Sequence, residues 1–119
     1  EFELNIDVTP QFINKFIAGK GALGETDNFT VITDGSNVKV VIGHSSVNTN
    51  RVTIPVTTTK VGDIDNVSFN ANIFKEVLSA NKECESATLE VSSEGLARIT
   101  FNIDDTSVTY YLVSIQDLD

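Results

Sequence analysis

Methionine is absent from the 119 residues, and cysteine and histidine each occur once. A lone thiol, Cys84, excludes an internal disulfide and any metal cluster built on cysteines, and reads as a half-buried structural group. No apolar run approaches the ~20 residues of a membrane span, and no signal-peptide pattern is visible. With no initiator residue, the chain is expected to be a fragment or processed form of something longer. Basic residues are also scarce. Eight lysines and arginines stand against 17 carboxylates, for a net charge of −9. That balance argues at first against a nucleic-acid binder, because phosphate contacts draw on Lys and Arg.

What remains is an ordinary globular composition, 40% hydrophobic and 21% charged, in a chain long enough to bury roughly 65% of its unfolded surface as one domain. Net charge does not fix where charges lie. Lys15, Lys20, Lys75 and Lys82 fall in or just past two predicted helices, whereas the carboxylates gather in predicted strands and turns.

Those helices share one pattern. Phe12, Ile13, Phe16 and Ile17 take the i, i+1, i+4, i+5 places of a stripe buried on a sheet, and Ile73, Phe74, Val77 and Leu78 take them again about half the chain later. Thr9 supplies the first N-cap and Pro10 the first helical position, with the end expected at Gly19 and Gly21. Asn70 caps the second helix. Alternation predicts a strand over 1–8, with Phe2 on the side of Leu4, Ile6 and Val8. Further strands are expected over 29–33 and 37–43 around an Asp34-Gly35 turn, and over 51–56, where Pro55 indicates an edge. A threonine-rich linker over 57–62 follows, then strands over 63–69, 86–91, 96–103 and 107–115. The order strand-helix-strand-strand-strand thus occurs twice, over 1–56 and 63–119. The expected fold is α+β, a duplicated β-α-β-β-β unit with two helices on one face of antiparallel sheets.

No catalytic or metal site emerges. His44 beside Ser45 and Ser46, with Asp34 as orienter, lacks a nucleophile elbow. The pairs Asp63/Asp65, Asp104/Asp105 and Asp117/Asp119 lack calcium-loop spacing and suit turns. Gly19-Lys20-Gly21 follows a helix and lacks the frame of a phosphate loop. No enzyme, cofactor or metal is expected. The outer helix faces carry amides, hydroxyls and ammonium groups instead: Gln11, Asn14, Lys15 and Ala18 on the first, Asn72, Lys75, Ser79 and Lys82 on the second. Such groups position nucleic acid without reading its sequence. In Tyr110-Tyr111, alternation sends one ring inward and one outward, the outer one forming with Val113 an apolar shelf expected near the 57–62 crossing.

This twofold strand-helix-three-strand repeat, with lysines on both outer helix faces, resembles one domain of a DNA sliding clamp over essentially the whole chain. The segments 94–102 and 109–113 look like the last hairpin of a clamp's C-terminal domain, and residues 2–17 look like a phage-type opening strand and helix. The resemblance is to trimeric clamps, bacteriophage processivity factors and proliferating cell nuclear antigen, more than to the three-domain bacterial β-clamp. It implies a C-terminal fragment of a two-domain subunit, a homotrimeric ring for the full-length protein, and a cytoplasmic setting in an infected bacterium. Gln11, Asn14, Lys15, Lys20, Asn72, Lys75, Ser79 and Lys82 would face duplex DNA. Gly95, Tyr111 and Val113 would belong to a pocket for peptides of a DNA polymerase and a clamp loader. The acidic total then fits a ring negative outside and positive within. The competing expectation is a β-rich structural or interaction module with no nucleic-acid role.

Overall fold

A computed structural model describes residues 2–43, 51–62 and 64–115. Strand β1 (Leu4–Val8) buries Leu4, Ile6 and Val8 and exposes Asp7. The chain turns at Thr9, whose hydroxyl accepts the Phe12 N–H at 3.1 Å, and enters α1 (Pro10–Ala22). This helix does not stop at Gly19 and Gly21. Both lie within it, and Leu23 closes it by donating its N–H to the Gly19 carbonyl. Gly19 is a contact residue: a Cβ there would lie 3.0 Å from Val52 Cγ1 and 3.2 Å from Ile42 Cδ1, so its small size lets the helix approach the sheet.

Strands β2 (Asn28–Asp34) and β3 (Asn37–Ile42) form the expected hairpin, with Gly35 at φ +64 in its turn. β4 (Val52–Pro55) is an edge strand, as its proline requires. The expected linker instead contains β5 (Thr57–Lys60), which pairs antiparallel with β1. Threonine is polar but β-branched, and the run suits an edge strand as well as a loop. β6 (Val67–Asn70) leads into α2 (Ala71–Ala80), where the Asn70 side chain accepts the Ile73 N–H at 2.9 Å. β7 (Ser86–Val91), β8 (Leu96–Ile103) and β9 (Thr106–Val113) complete the order.

The described strands form two antiparallel sheets, β5-β1-β7-β8-β9 and β4-β3-β2-β6. Each takes one strand from the other half of the chain. β1 pairs with β7, Leu4 opposite Val91 through Val8 opposite Ala87, while β6 pairs with β2, Phe29 opposite Phe69. The orders β1-β7-β8-β9 and β6-β2-β3-β4 correspond strand for strand.

Both sheets and both helices bury their apolar faces in one core. At its centre the Phe74 ring lies 4.8 Å from Phe29, 5.0 Å from Phe16 and 6.4 Å from Phe12, so the two helices pack against each other through aromatic rings. This corrects the expected stripe on α2. Phe74 fills the space between α1 and β2, and the buried face narrows to Ala71, Phe74 and Leu78. Val77 is half-buried and Ile73 is 51% exposed. No helix among the described residues is long and apolar enough to cross a membrane.

Candidate nucleic-acid interface and partner surface

On α1, Gln11, Asn14, Lys15 and Ala18 are exposed, lying opposite the buried Phe12, Ile13 and Phe16. Gln11 and Lys15 stand beside Pro55, Val56 and Thr57 at a shallow crevice where β4 passes into β5. On and past α2, Asn72, Ser79 and Lys82 are exposed and Lys75 is half-buried. The Asn72 amide donates to Asp27 Oδ1 at 3.3 Å. Ser79 and Lys82 line a separate concavity of about 480 Å³ with Glu83, Glu85 and Asp104. The helices therefore lie side by side, but their polar groups form two patches. Glu76 and Glu83 adjoin Lys75 and Lys82 in sequence and offset their charge.

Lys20 departs from the exposed position expected of it. Because α1 continues to Ala22, this side chain folds over the last turn and donates its ammonium to the Gly24 carbonyl at 3.2 Å; it is 5% exposed. A helix end at Ala18 would have left it in solvent.

The second candidate surface is the outer face of the five-stranded sheet. Tyr110 points inward, edge-on to Phe101 at 5.9 Å, and its hydroxyl accepts from Asn81 Nδ2 at 3.1 Å. Tyr111 points outward and is 60% exposed, and Val113 is 75% exposed. Leu96 lies opposite Val113 and Arg98 opposite Tyr111, so the shelf spans β8 and β9. It does not adjoin the 57–62 segment, because β5 and β9 are opposite edges of the sheet. Gly95 holds the strand ends together. At φ +90 it adopts a conformation that favours glycine, its carbonyl accepts the Ser114 N–H at 2.8 Å, and an added Cβ would collide with Ser114 Oγ.

Residues not anticipated from the sequence complete this face. The Arg98 guanidinium bonds Glu90 Oε1 at 2.8 Å, and hydrogen bonding to Glu90 and then to Tyr111 raises its pKa further. Phe2 does not continue β1 on the buried side. Its ring covers Arg98, with the guanidinium carbon 4.5 Å from the ring centroid. Period-two alternation concealed this contact, since it assigns Phe2 to the side of Leu4.

Among the described residues, no group of three or more His, Cys, Asp or Glu is placed to hold a metal ion. His44, Ser45, Ser46, Asp63, Asp117 and Asp119 lie outside the described residues. Cys84 is half-buried, and burial pushes its thiol pKa up.

No known family's sequence signature matches the chain, and no curated protein matches it by sequence. Solved structures do match. The beta subunit of DNA polymerase from Streptococcus pyogenes matches with a TM-score of 0.64 at 15% identity, covering 98% of this chain and 32% of that one. The DNA polymerase sliding clamp of Caulobacter crescentus gives 0.68 at 10% identity, over 96% of this chain and 30% of the clamp. The DNA polymerase III beta chain of Streptococcus pneumoniae gives 0.61 at 18% identity, over 98% and 32%. The chain spans about a third of the length of each. Its α+β architecture, with paired helices against antiparallel sheets, is the fold of a DNA sliding-clamp domain.

Proposed function

We propose that this chain is one domain of a ring-forming DNA polymerase processivity factor, which encircles duplex DNA without sequence preference and tethers a polymerase to it. The observation that carries this reading is the likeness to DNA polymerase beta subunits and clamps over 96–98% of the chain. The corresponding strand orders of the two sheets further support a duplicated unit, 1–56 and 63–119. The adjacent helices carry amides and ammonium groups in two patches on their exposed faces. Gln11, Asn14, Lys15, Asn72, Lys75, Ser79 and Lys82 face the duplex through its backbone; Lys20, being buried, does not. Three lysines with acidic neighbours make a weakly attractive wall, which suits a ring that holds DNA by topology and slides.

The Tyr111–Val113 shelf, with Leu96 beside it and Gly95 fixing its end, receives the peptides of a polymerase and a clamp loader. Ring closure uses two of the four sheet edges, β4 and β9. β9 has eight residues without charge or proline, an unguarded edge, and exposed Asp104, Asp105 and Glu94 flank it. Exposed Arg51 and Lys39 lie at β4, so the two edges carry opposite charge. A homotrimer of two-domain subunits remains the proposed assembly and the cytoplasm the proposed setting.

The test is primer extension with the full-length protein. Replacing Lys15, Lys75 and Lys82 together with glutamate is expected to shorten products, increasingly so as salt rises. Unchanged product length across the salt series removes the helix wall from DNA contact and leaves a β-rich interaction module as the better reading.

A further inference from the structure

The helix caps set the two halves of the chain in register. Thr9 and Asn70, which cap α1 and α2, lie 61 positions apart, and the same offset matches Lys20 with Asn81. Both matched side chains are buried at the end of their helix, Lys20 at 5% exposure and Asn81 at 6%. They finish those helices differently. Lys20 brings an ammonium to the end of α1 and donates it to the Gly24 carbonyl at 3.2 Å, which suits the negative pole of a helix. Asn81 is shorter and uncharged. Its Nδ2 donates to the Val77 carbonyl at 2.9 Å and the Tyr110 hydroxyl at 3.1 Å, and no basic residue lies in the last turn of α2.

Beside Asn81 opens the concavity of about 480 Å³, between the end of α2 and Asp104 in the turn after β8. Asn81 Oδ1 accepts no hydrogen bond among the described residues and is not closed off, so it faces this space. Ser79 and Ala80 line it too. Their carbonyls accept nothing from the turn that follows, where Asn81 bonds back to Leu78 and Cys84 to Asn81. Glu83, Glu85 and Asp104 add three carboxylates, and none of them is in an ion pair, even with Lys82 beside them. The one ion pair among the described residues is Arg98–Glu90.

We propose that this concavity binds a linear aliphatic polyamine, one ammonium taking the place at the end of α2 that Lys20 fills for α1. Lys82 apart, each polar group lining it can accept from an ammonium: the Asn81 amide oxygen, the Ser79 hydroxyl, two helix-terminal carbonyls and three carboxylates. The carboxylates are not placed to close on one metal ion, and a lysine of a folded partner would offer them a single ammonium. A flexible chain with several ammonium groups meets more of them. Once bound, it offsets the negative charge beside Lys82. The inference takes from the proposed function only the repeat that matches Lys20 with Asn81.

The test is an NMR titration of the isotope-labelled chain with spermidine at fixed ionic strength. Saturable shifts are expected, confined to residues 79–85 and 103–105. Glu85→Gln and Asp104→Asn are each expected to weaken binding about two- to fivefold; asparagine tolerates the positive φ of Asp104. Asn81→Lys supplies the ammonium from within, as Lys20 does, and is expected to abolish binding. If Asn81→Lys lowers the melting temperature, the two carboxylate variants carry the test. Shifts that do not saturate, or that magnesium chloride reproduces, overturn the proposal. So does an equal affinity for N-acetyl-lysine, which carries one ammonium, or an unaltered affinity in both carboxylate variants. DNA and polymerase are absent from this assay, so its failure leaves the ring and the repeat standing.

Discussion

Single residues here are constrained by backbone and burial more than by charge. Gly95 combines φ +90 with a close approach to Ser114, so Gly95→Ala is expected to destabilise the chain by about 1–3 kcal/mol. Thermal denaturation checks this, and an unchanged melting temperature refutes the account. The resemblance to clamps drew Gly95 into a peptide pocket, and its geometry adds a role in joining the start of β8 to the end of β9. Burial raises the Cys84 thiol, so the folded chain is expected to react with iodoacetamide more slowly at neutral pH than the denatured chain does. Equal rates contradict it. At Glu3, the bond from the Ser93 N–H holds the carboxyl below its ordinary range. A depressed folded value means that the tie is complete above the unfolded pKa and is lost as pH falls through the folded one. An NMR titration of Glu3 is expected to show that midpoint below the midpoint of a model glutamate.

At the scale of elements, starts were legible and ends were not. Thr9 and Asn70 announce their helices because a cap is a local bond, made within three residues. Asn70→Ala is accordingly expected to cost about 1 kcal/mol, read as a shift in the denaturant midpoint. Gly19 and Gly21 signalled an end that tertiary packing overrode, since the space beside Val52 and Ile42 admits a helix only where it lacks a side chain. Lys20 was misplaced for the same reason. Ile73 and Val77 carried the right spacing but the wrong width of buried face, because periodicity does not report that one phenylalanine fills the gap between helices. Phe74→Ala is expected to cost about 3–5 kcal/mol, more than Ile73→Ala, whose side chain is half in water. Equal losses for the two contradict this packing. The strand within 57–62 was not legible because its partner, β1, is distant in sequence.

For the molecule as a whole, the repeated order of elements could be read from sequence, but the partnering of its halves could not. The contacts of Phe2 with Arg98 and Lys60, and of Glu3 with Ser93, were hidden likewise, since they form only after β1 has joined the sheet of β7 and β8. That partnering governs how the chain comes apart. With β1 seated beside β7 and β6 beside β2, neither half keeps a complete sheet once the other melts. Calorimetry is expected to record one transition, with calorimetric and van't Hoff enthalpies equal; two separable transitions contradict the exchange. Acquisition of the fold is constrained in the same way. Because the first strand waits for a partner made some eighty residues later, the contacts that finish either sheet are long-range, and refolding is expected on the slower millisecond-to-second scale of non-local topologies.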